Sequence, residues 1–271
     1  MSSHLILIDG DNLSHRNFHA MNGSLLIKNP IVYGILRDAC TLRQTLMEKK
    51  MVFCFDGTET VDYRKEYFPD YKANRKNNEA KEKIKAGMAE AKALLTSLGF
   101  EAILRPGWEG DDLLAHIVKS ATNKDDKYTI ISTDMDMYQL LAPNVQVYDP
   151  LRKFTATSQW LYRTFDVHPG EWVEYKALVG DKADNINGVE GVGAATACKY
   201  IRDYAMSERL RKKIDCSPHL IERNMILMRL PFKLLPPFEL AQPLTGKGPD
   251  GEHWDKLVSE AGCPTFVGKW E

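Results

Sequence analysis

The sequence has no long hydrophobic run and no amino-terminal export signal. None of its 271 residues belongs to an apolar stretch near the roughly 20 residues that a membrane span needs. The amino terminus, MSSHLILIDGDN, lacks the basic region, the long apolar region and the small-residue cleavage site of a signal peptide. We therefore expect a soluble protein of the cytoplasm with no membrane association.

Paired cysteines and metal-binding histidine patterns are also missing. The five cysteines are odd in number, widely spaced and without a C-x-x-C pair, which argues against a disulfide framework or a zinc knuckle. His15 and His19 are four positions apart, yet no acidic residue lies between them as in a metalloprotease helix. Reduced thiols and a packing or surface role for the histidines are the simpler interpretation.

An excess of basic charge is absent as well. With 36 basic and 37 acidic residues the formal net charge is −1, which argues against an undiscriminating nucleic-acid binder. The hydrophobic fraction of 44% and the charged fraction of 27% are those of an ordinary globular protein. We expect one large integrated domain or two small ones.

Short apolar runs rich in Val, Ile, Phe and Tyr alternate with segments of helical periodicity. The runs predict strands buried on both faces, at 5–9, 52–56, 101–107, 128–134 and 145–150. The helical segments between them cover about 31–49, 79–98, 110–123 and 135–141. This order predicts an α/β fold with a parallel, doubly wound sheet.

The strand signal stops after about residue 165, where an all-helical part is expected. Its predicted helices cover 170–179, 193–206, 207–213 and 218–229. From Pro231 onward the chain is rich in Pro and Gly, and 245–252 predicts a flexible loop or linker before a short amphipathic tail. The expected divisions are 1–165, 166–230 and 231–271.

Acidic residues follow the predicted strands and begin one of the helices. Strand carboxyl ends share one edge of a parallel sheet, so these acids are expected to converge there, joined by two from the helical part. The set is Asp9, Asp56, Glu109, Asp111, Asp112, Asp134, Asp136, Asp181 and Asp184. For any single residue, a turn-forming Asp or an acid at a helix amino terminus is the plainer alternative.

So many neighbouring carboxylates raise one another's pKa unless cations share the site. Oxygen ligands without Cys or His favour Mg²⁺ or Mn²⁺, and two such ions about 4 Å apart are the common arrangement for displacement at phosphate. A Ca²⁺ storage site is an alternative, but the acids come from distant segments and the sequence has no EF-hand loop.

The stretch 61–92 combines cations with aromatic residues, as single-stranded nucleic acid requires. A solvated helix with ion pairs is the alternative, and it suits 79–92 better than 63–76. Lys72 and Arg75 follow a strand of the acidic edge and are candidates to stabilise charge on a scissile phosphate. The residues concerned are Arg64, Lys65, Lys72, Arg75, Lys76, Lys81, Lys83, Lys85, Lys92, Tyr63, Tyr67, Phe68 and Tyr71.

The glycines of GVEGVGAATACKYI, residues 188–201, open a predicted helix. Backbone N–H groups there could approach a phosphate closely, and basic residues follow at Lys199, Arg202, Arg209, Arg211, Lys212 and Lys213. The motif is not the dinucleotide fingerprint, because its spacing differs and no strand precedes it. An ordinary tight turn between helices is the alternative.

The motifs LIDGDN, FDG, FPDYKANR, EGDDLLA, ISTDMDMYQLL and VGDKADNINGVEGVGAATA occur in this order. Over about residues 4–230 the chain resembles the 5′-nuclease or flap-endonuclease family, especially stand-alone bacteriophage 5′–3′ exonucleases and the 5′-nuclease domain of bacterial DNA polymerase I. The resemblance implies a PIN-like core with a helical arch at about 62–98 and a helix-three-turn-helix in 166–230. The last 40 or so residues match no family pattern.

The resemblance also implies site residues. One metal site takes Asp9, Asp56, Glu109, Asp111 and Asp112, and the second takes Asp134, Asp136, Asp181 and Asp184. Lys72 and Arg75 are the catalytic cations of the arch, and Tyr71 stacks on a base near the base of the arch. Duplex contacts, with a K⁺ held by backbone oxygens, are expected in 188–201, at Gly188, Gly191, Gly193, Thr196 and Lys199.

The implied activity is that of a Mg²⁺- or Mn²⁺-dependent 5′ nuclease with flap endonuclease and 5′–3′ exonuclease action in DNA replication and repair. Its implied partners are DNA with a 5′ flap or 5′ end and a DNA polymerase, and a monomer in a bacterial or phage-infected cell is expected. Two alternatives stay open: a catalytically silent junction-binding protein, and an RNase of the related small-domain type, which lacks the arch and the glycine hairpin.

Overall fold

The strands of the core form one mixed sheet in the computed structural model, which describes residues 3–21, 23–24, 27–47, 50–58, 62–75, 79–121, 123, 125–240 and 244–270. In the order β3-β2-β1-β4-β5-β6, neighbouring strands are parallel up to β5, and β6 is antiparallel to β5. The strands are β1 His4–Asp9, β2 Met51–Cys54, β3 Glu101–Ile103, β4 Lys127–Ile131, β5 Val145–Asp149 and β6 Phe154–Ala156. The predicted α/β class is confirmed.

Helices cover both faces of this sheet and continue beyond it. They are α1 Gly10–Met21, α2 Pro30–Leu46, α3 Asp62–Tyr67, α4 Glu79–Ser97, α5 Gly110–Ser120, α6 Ser158–Phe165, α7 Trp172–Val179, α8 Ala194–Ile201, α9 Glu208–Asp215, α10 Pro218–Met228 and α11 Gly251–Glu260. Short 3₁₀ helices cover Met135–Leu140, Pro169–Glu171 and Pro264–Phe266. No helix in the described ranges is long and apolar enough to cross a membrane.

Successive residues of the central strand point to opposite faces of the sheet, which divides the apolar core in two. Leu7 packs in the cluster that contains α5 and Trp172, whereas Ile8 packs in the cluster formed with α1, α2 and α4. Ile8 also pairs in register with Phe53 of β2 and Ile131 of β4, so these three strands end at nearly the same level. This alignment brings the residues that follow them to one edge.

Four elements differ from the sequence prediction. Helix α1 was not predicted, because its buried face includes the polar residues Ser14 and Asn17 and so breaks the apolar periodicity. Strand β6, only three residues long, and helix α6 were also not predicted. The predicted helix 135–141 is a 3₁₀ helix, and the predicted helical positions 48–49 and 122 lie outside the described residues.

The part that follows the core is not all-helical as predicted, since it contains a small antiparallel hairpin. Strands β7 Gly180–Asp181 and β8 Ile186–Asn187 pair between α7 and α8. Gly180 has φ +84, and a Cβ there would lie 2.3 Å from the Gly188 nitrogen. The fully buried Asn224 of α10 donates to the carbonyl oxygens of Ala177 and Asn187, which ties α10 to α7 and to the hairpin.

The C-terminal segment, residues 244–270, packs against the sheet instead of forming the predicted flexible linker. The Met51 N–H donates to the Gly246 carbonyl at 2.9 Å, and the Gly246 N–H donates to the Glu101 carboxylate at 2.9 Å. Helix α11 is the predicted amphipathic tail, and its Trp254 stacks on Trp270 with ring centroids 4.8 Å apart. Both tryptophans are buried, so this segment completes one of the two cores.

Candidate metal centre and nucleic-acid interface

A small acidic cavity of about 60 Å³ lies at the carboxyl edge of the sheet. Acids from the amino-terminal end of α5, from the turn after β4 and from the β7–β8 hairpin meet there, as the sequence predicts. The acids that line it are Glu109, Asp111, Asp134, Asp136, Asp181 and Asp184. Three segments distant in sequence therefore bring carboxylate oxygens to one place.

Asp9 and Asp56 do not line this cavity, and hydrogen bonds hold their carboxylates in place. The Ser132 hydroxyl donates to Asp9 at 2.7 Å, and the Gly110 N–H donates to Asp56 at 2.7 Å. Burial, together with the charges of Asp134 and Asp56, raises the pKa of Asp9 to about 7. Asp9 and Asp56 are therefore close enough to the lining acids to share their electrostatic field.

The predicted metal-binding set includes Asp112, but Asp112 does not line the cavity. Its carboxylate accepts hydrogen bonds from Arg64 at 2.7 and 2.9 Å and from the Phe232 N–H at 2.8 Å. Arg64 is only 2% exposed, so its predicted role as a nucleic-acid cation is wrong. This pair belongs to the interior of the fold.

Lysine and arginine side chains pair with several of the lining acids. Lys72 Nζ lies 2.8 Å from Glu109 Oε2, and Arg75 Nη2 lies 2.8 Å from Asp184 Oδ1. Burial alone would lower the pKa of Lys72, but the charges of Glu109 and Asp184 raise it above its usual value. The predicted cations thus stand at the mouth of the acidic cavity.

Lys176 is a site residue that the sequence prediction missed. Its Nζ lies 2.8 Å from Asp136 Oδ1 and 2.7 Å from Asp181 Oδ2, so it bridges acids from two segments. Burial would raise the pKa of Asp181, but the hydrogen bond from Lys176 lowers it below its usual value. The only local signal was a lysine in the last turn of α7, five residues before Asp181.

Other lining acids have raised pKa values, because burial and neighbouring carboxylates disfavour their ionised forms. Burial, followed by the charges of Asp9 and Asp134, raises the pKa of Asp111 well above its usual value. Burial and the charge of Asp134 raise the pKa of Asp136 to about 7 despite its contact with Lys176. Buried carboxylates that repel one another are stabilised when a hard divalent cation binds between them.

The described conformation does not present a finished metal cage. Within the described ranges, no three Asp, Glu, His or Cys side chains are arranged to hold one ion together. Instead Lys72, Arg75 and Lys176 contact the carboxylates that line the cavity. An incoming cation therefore has to displace some of these ammonium and guanidinium contacts.

Asp11 is a second residue near the site that the sequence prediction left out, after Lys176. Its Oδ2 accepts a hydrogen bond from the Asp56 N–H at 2.6 Å. Burial, followed by the charge of Asp56, raises the pKa of Asp11 to about 8. The D-x-D spacing of LIDGDN was the available signal, but only its first aspartate directly ends a strand.

The predicted arch segment begins with α3 and ends with α4, and turns connect them over 68–75. Residues 76–78, and with them Lys76, lie outside the described part of the chain. The Lys72 N–H donates to the Asp184 carbonyl at 2.9 Å, and the Asn74 amide donates to the Lys182 carbonyl at 2.8 Å. The base of the arch is thus fastened to the β7–β8 hairpin.

Tyr71 is buried, in contrast to the exposed ring that base stacking requires. It is 2% exposed, and its hydroxyl lies 3.3 Å from Glu109 Oε1 and 3.2 Å from Asp184 Oδ2. The stacking role predicted for Tyr71 is not available in this conformation. In α4 the exposed Lys83 pairs with Glu79 at 2.6 Å, which agrees with the solvated-helix interpretation of that half.

The glycine loop between β8 and α8 is placed at the surface. Gly191 is exposed with φ +80, and the exposed Gly193 precedes α8 without a side-chain cap. On that helix Lys199 is exposed and Thr196 is partly exposed. Gly188 packs against the end of α7, because a Cβ at this position would lie 2.3 Å from the Val179 carbonyl carbon. Of the basic residues that follow, Arg202, Arg211 and Lys213 pair with Glu171, Asp203 and Glu190.

Comparison with known families identifies the class to which this fold and site belong. Residues 4–167 match the model of the 5′-3′ exonuclease N-terminal resolvase-like domain, and residues 167–228 match that of the 5′-3′ exonuclease C-terminal SAM fold. The chain belongs to the 5′-3′ exonuclease family. The resemblance inferred from the motifs is therefore confirmed.

Individual relatives agree with this assignment. The chain is 33% identical over 213 residues to the thermostable DNA polymerase I of Thermus thermophilus, covering 78% of the chain and 25% of the polymerase. It thus spans about a quarter of the length of the polymerases it matches. It is 30% identical over 219 residues to the flap endonuclease Xni of Pectobacterium atrosepticum, covering 80% of the chain and 81% of that protein.

A solved structure with a similar fold is the bacteriophage T5 flap endonuclease in a pseudo-enzyme–product complex with DNA and metal ions. The TM-score is 0.71 at 26% sequence identity, and the match covers 83% of this chain and 88% of that one. The similarity extends over both the sheet and the helical part, since it covers most of each chain.

Proposed function

We propose that this protein is a Mg²⁺-dependent, structure-specific 5′ nuclease that acts on DNA with a 5′ flap or a 5′ end. The observation that carries the proposal is the acidic cavity at the carboxyl edge of the sheet, with Lys72 and Arg75 at its mouth. Flap endonuclease and 5′–3′ exonuclease action in replication and repair would both be hydrolyses of phosphodiesters at this place. Family membership supports the same reaction class.

Mg²⁺, or Mn²⁺ in its place, would be held by the lining acids, with Asp9 and Asp56 in support. When bound, such ions supply an activated water and neutralise charge on the phosphate. The donor set is all oxygen, as a hard cation requires, and the raised pKa of Asp111 shows that its ionised form is disfavoured by burial and by neighbouring carboxylates. A K⁺ held by backbone oxygens of the glycine loop, residues 188–193, belongs to the same proposal.

Lys72 and Arg75 would transfer their contacts from Glu109 and Asp184 to the phosphate. Both side chains reach the cavity from the base of the arch segment, so a 5′ strand that enters there would meet them first. The exposed Gly191, Gly193 and Lys199 would contact the duplex from the helical part. Cleavage would then fall near the junction between the duplex and the single strand.

The same proposal includes the partners and the setting. The relatives from Thermus carry a matching segment within a DNA polymerase I, so we expect this chain to cooperate with a DNA polymerase. We propose that it acts as a monomer. A bacterial or phage-infected cell is the proposed location, in line with the sources of the relatives.

The direct test is cleavage of a 5′-labelled flap duplex with Mg²⁺ or with EDTA, with products sized on a denaturing gel. We expect Mg²⁺-dependent fragments that end within about a nucleotide of the junction. Asp134→Asn should bind the duplex but lose cleavage by more than about 100-fold, beyond what a merely supporting residue costs. Asp125→Asn, an exposed acid in the loop before β4, should cleave normally.

Two results would overturn the proposal. Binding without cleavage by the wild-type protein would make it a silent junction-binding protein, and equal turnover by Asp134→Asn would remove the metal assignment. Cleavage of an RNA flap in clear preference to the DNA flap would favour an RNase instead.

A further inference from the structure

The backbone N–H of Asp56 lies in a loop beyond the end of β2, where it has no partner in a neighbouring strand. β2 ends at Cys54, and the neighbouring amides bond to other segments, Phe55 N–H to the Ile103 carbonyl at 2.9 Å and Gly57 N–H to the Trp108 carbonyl at 3.0 Å. The Asp56 N–H between them donates to Asp11 Oδ2 at 2.6 Å. Asp11 therefore supplies the acceptor that the sheet does not.

Asp56 is held from two sides as a result. Its N–H is bound to Asp11 of α1, and its carboxylate accepts from the Gly110 N–H at the start of α5 at 2.7 Å. If the contact with Asp11 were lost, the loop could turn about its ends and move the carboxylate away from Asp111. Buried backbone N–H groups rarely remain unpaired, so the loop would have a reason to rearrange.

The space around this contact is tight, which restricts what can replace Asp11. An ideal Cβ at Gly10 would lie 2.3 Å from the Phe55 ring, and Phe55 is fully buried. Lys92 of α4 lies over the same ring at 4.7 Å, with its Nζ 3.5 Å from the Asp56 carbonyl. The first turn of α1, the end of β2 and α4 thus meet around Asp56.

We propose that Asp11 is a positioning residue for Asp56 and acts as a hydrogen-bond acceptor, not as a metal ligand. Asp11 does not line the acidic cavity, and one of its oxygens is committed to the Asp56 N–H. Residues that orient the ligands of a metal commonly act in this way. The inference rests on the proposed function, because it assumes that Asp56 serves a bound cation.

The test compares Asp11→Asn with Asp11→Ala in the full-length protein without DNA. Asparagine keeps a side-chain oxygen of the same reach, whereas alanine removes the acceptor. We expect Mn²⁺ binding, titrated by calorimetry, to weaken about tenfold or more in Asp11→Ala and to stay within about threefold in Asp11→Asn. Asp125→Asn is the exposed control, and circular dichroism reports whether each variant is folded.

A spectroscopic readout follows the hydrogen bond itself. The Asp56 amide proton should resonate downfield in the wild type and in Asp11→Asn, and should move upfield in Asp11→Ala. If Asp11→Ala does not fold, Asp11→Ser, whose hydroxyl is too short to reach, takes its place. If neither folds, Asp11→Asn alone decides: retained affinity and amide shift support the inference, and their loss overturns it.

Other outcomes would also overturn the inference. Equal loss of Mn²⁺ affinity in Asp11→Asn and Asp11→Ala would show that the charge of Asp11 is what matters. Unchanged affinity in Asp11→Ala would show that it positions nothing. If the wild type binds no Mn²⁺, the proposed function fails, and the positioning role for a cation fails with it, while an intact amide shift would identify the contact as purely structural.

Discussion

Arg64 and Asp112 form a bidentate ion pair with both side chains buried, 2% and 0% exposed. Arg64 Nε also donates to the Leu227 carbonyl at 3.2 Å, and Asp112 accepts from the Phe232 N–H. One pair therefore joins α3, the first turn of α5 and the chain around the end of α10. The start of the arch segment is fixed to the helix that carries Glu109 and Asp111.

Removing one partner of this pair should be costly, because it leaves the other charge buried and unpaired. Arg64→Met is expected to lower the free energy of unfolding by about 3–5 kcal/mol, measured by urea denaturation. Lys83→Met, which removes a surface ion pair of α4, should produce no measurable change. A similar small effect in both variants would show that water reaches Asp112 in solution.

The metal-free protein should lose stability as the pH rises. Burial raises the pKa of Asp9 and Asp136 from 3.8 to about 7, and that of Asp11 from 3.8 to about 8. The folded protein therefore binds protons that the unfolded chain releases, so the stabilisation is complete below the unfolded pKa and is lost as pH rises through the folded pKa. In EDTA, we expect the melting temperature to fall between about pH 5 and about pH 8.

Two further thermal-denaturation experiments test whether the acidic site causes this pH dependence. Mg²⁺ should restore the melting temperature at the higher pH, since a cation replaces the lost protons. Asp111→Asn should flatten the pH dependence in EDTA, because it removes a carboxyl group whose own pKa is raised well above its usual value. A melting temperature independent of pH in EDTA would contradict the coupling of these carboxyl groups.

Lys72 should affect turnover more than substrate binding. Lys72→Ala is expected to lower kcat on the flap substrate by about 100-fold or more with a smaller change in KM, because the proposed role of its ammonium is to stabilise charge that develops at the phosphate. Lys65→Ala removes an exposed cation from α3 and is the matched control. An equal loss in both variants would mean that the segment attracts DNA by charge alone.

Trp254 tests whether the C-terminal segment belongs to the core. The side chain is fully buried, and its Nε1 donates to the Phe266 carbonyl at 2.8 Å. Trp254→Ala should lower the free energy of unfolding by about 3–5 kcal/mol while the kcat of the folded protein stays unchanged. Leu151→Ala, at a 69% exposed position, should have little effect, and equal stability of the two variants would argue for a loosely attached tail.

The sheet and its acidic edge were predictable because both follow from local patterns. Buried strands of four or five residues are distinctive, and parallel order places whatever follows Ile8, Phe55 and Ile131 at one edge. That reasoning brought Asp134 and Asp136 to the acids of α5 without any knowledge of contacts. The hairpin acids Asp181 and Asp184 joined them through the family resemblance as much as through pattern.

The C-terminal segment shows where local pattern was insufficient. Its Pro and Gly content predicts flexibility, yet Gly246 lies against β2 and Trp254 fills the core beside α2 and α4. Helix α1 was not predicted for a related reason, since its polar Asn17 is buried and donates a hydrogen bond to Asp38 at 2.9 Å. In both cases partners distant in sequence determine the structure, and local composition does not reveal which partners these are.

By itself the sequence determined the five parallel strands of the core and which acids they deliver to one edge of the sheet. Only the tertiary structure decided which of two neighbouring acids lines the cavity and which forms an ion pair inside the fold. Asp111 and Asp112 differ by about 100° around a helix, so one faces the cavity and the other faces Arg64. The physical reason is that strand order needs only local periodicity, whereas the partner of a charged side chain depends on which distant segment packs against it.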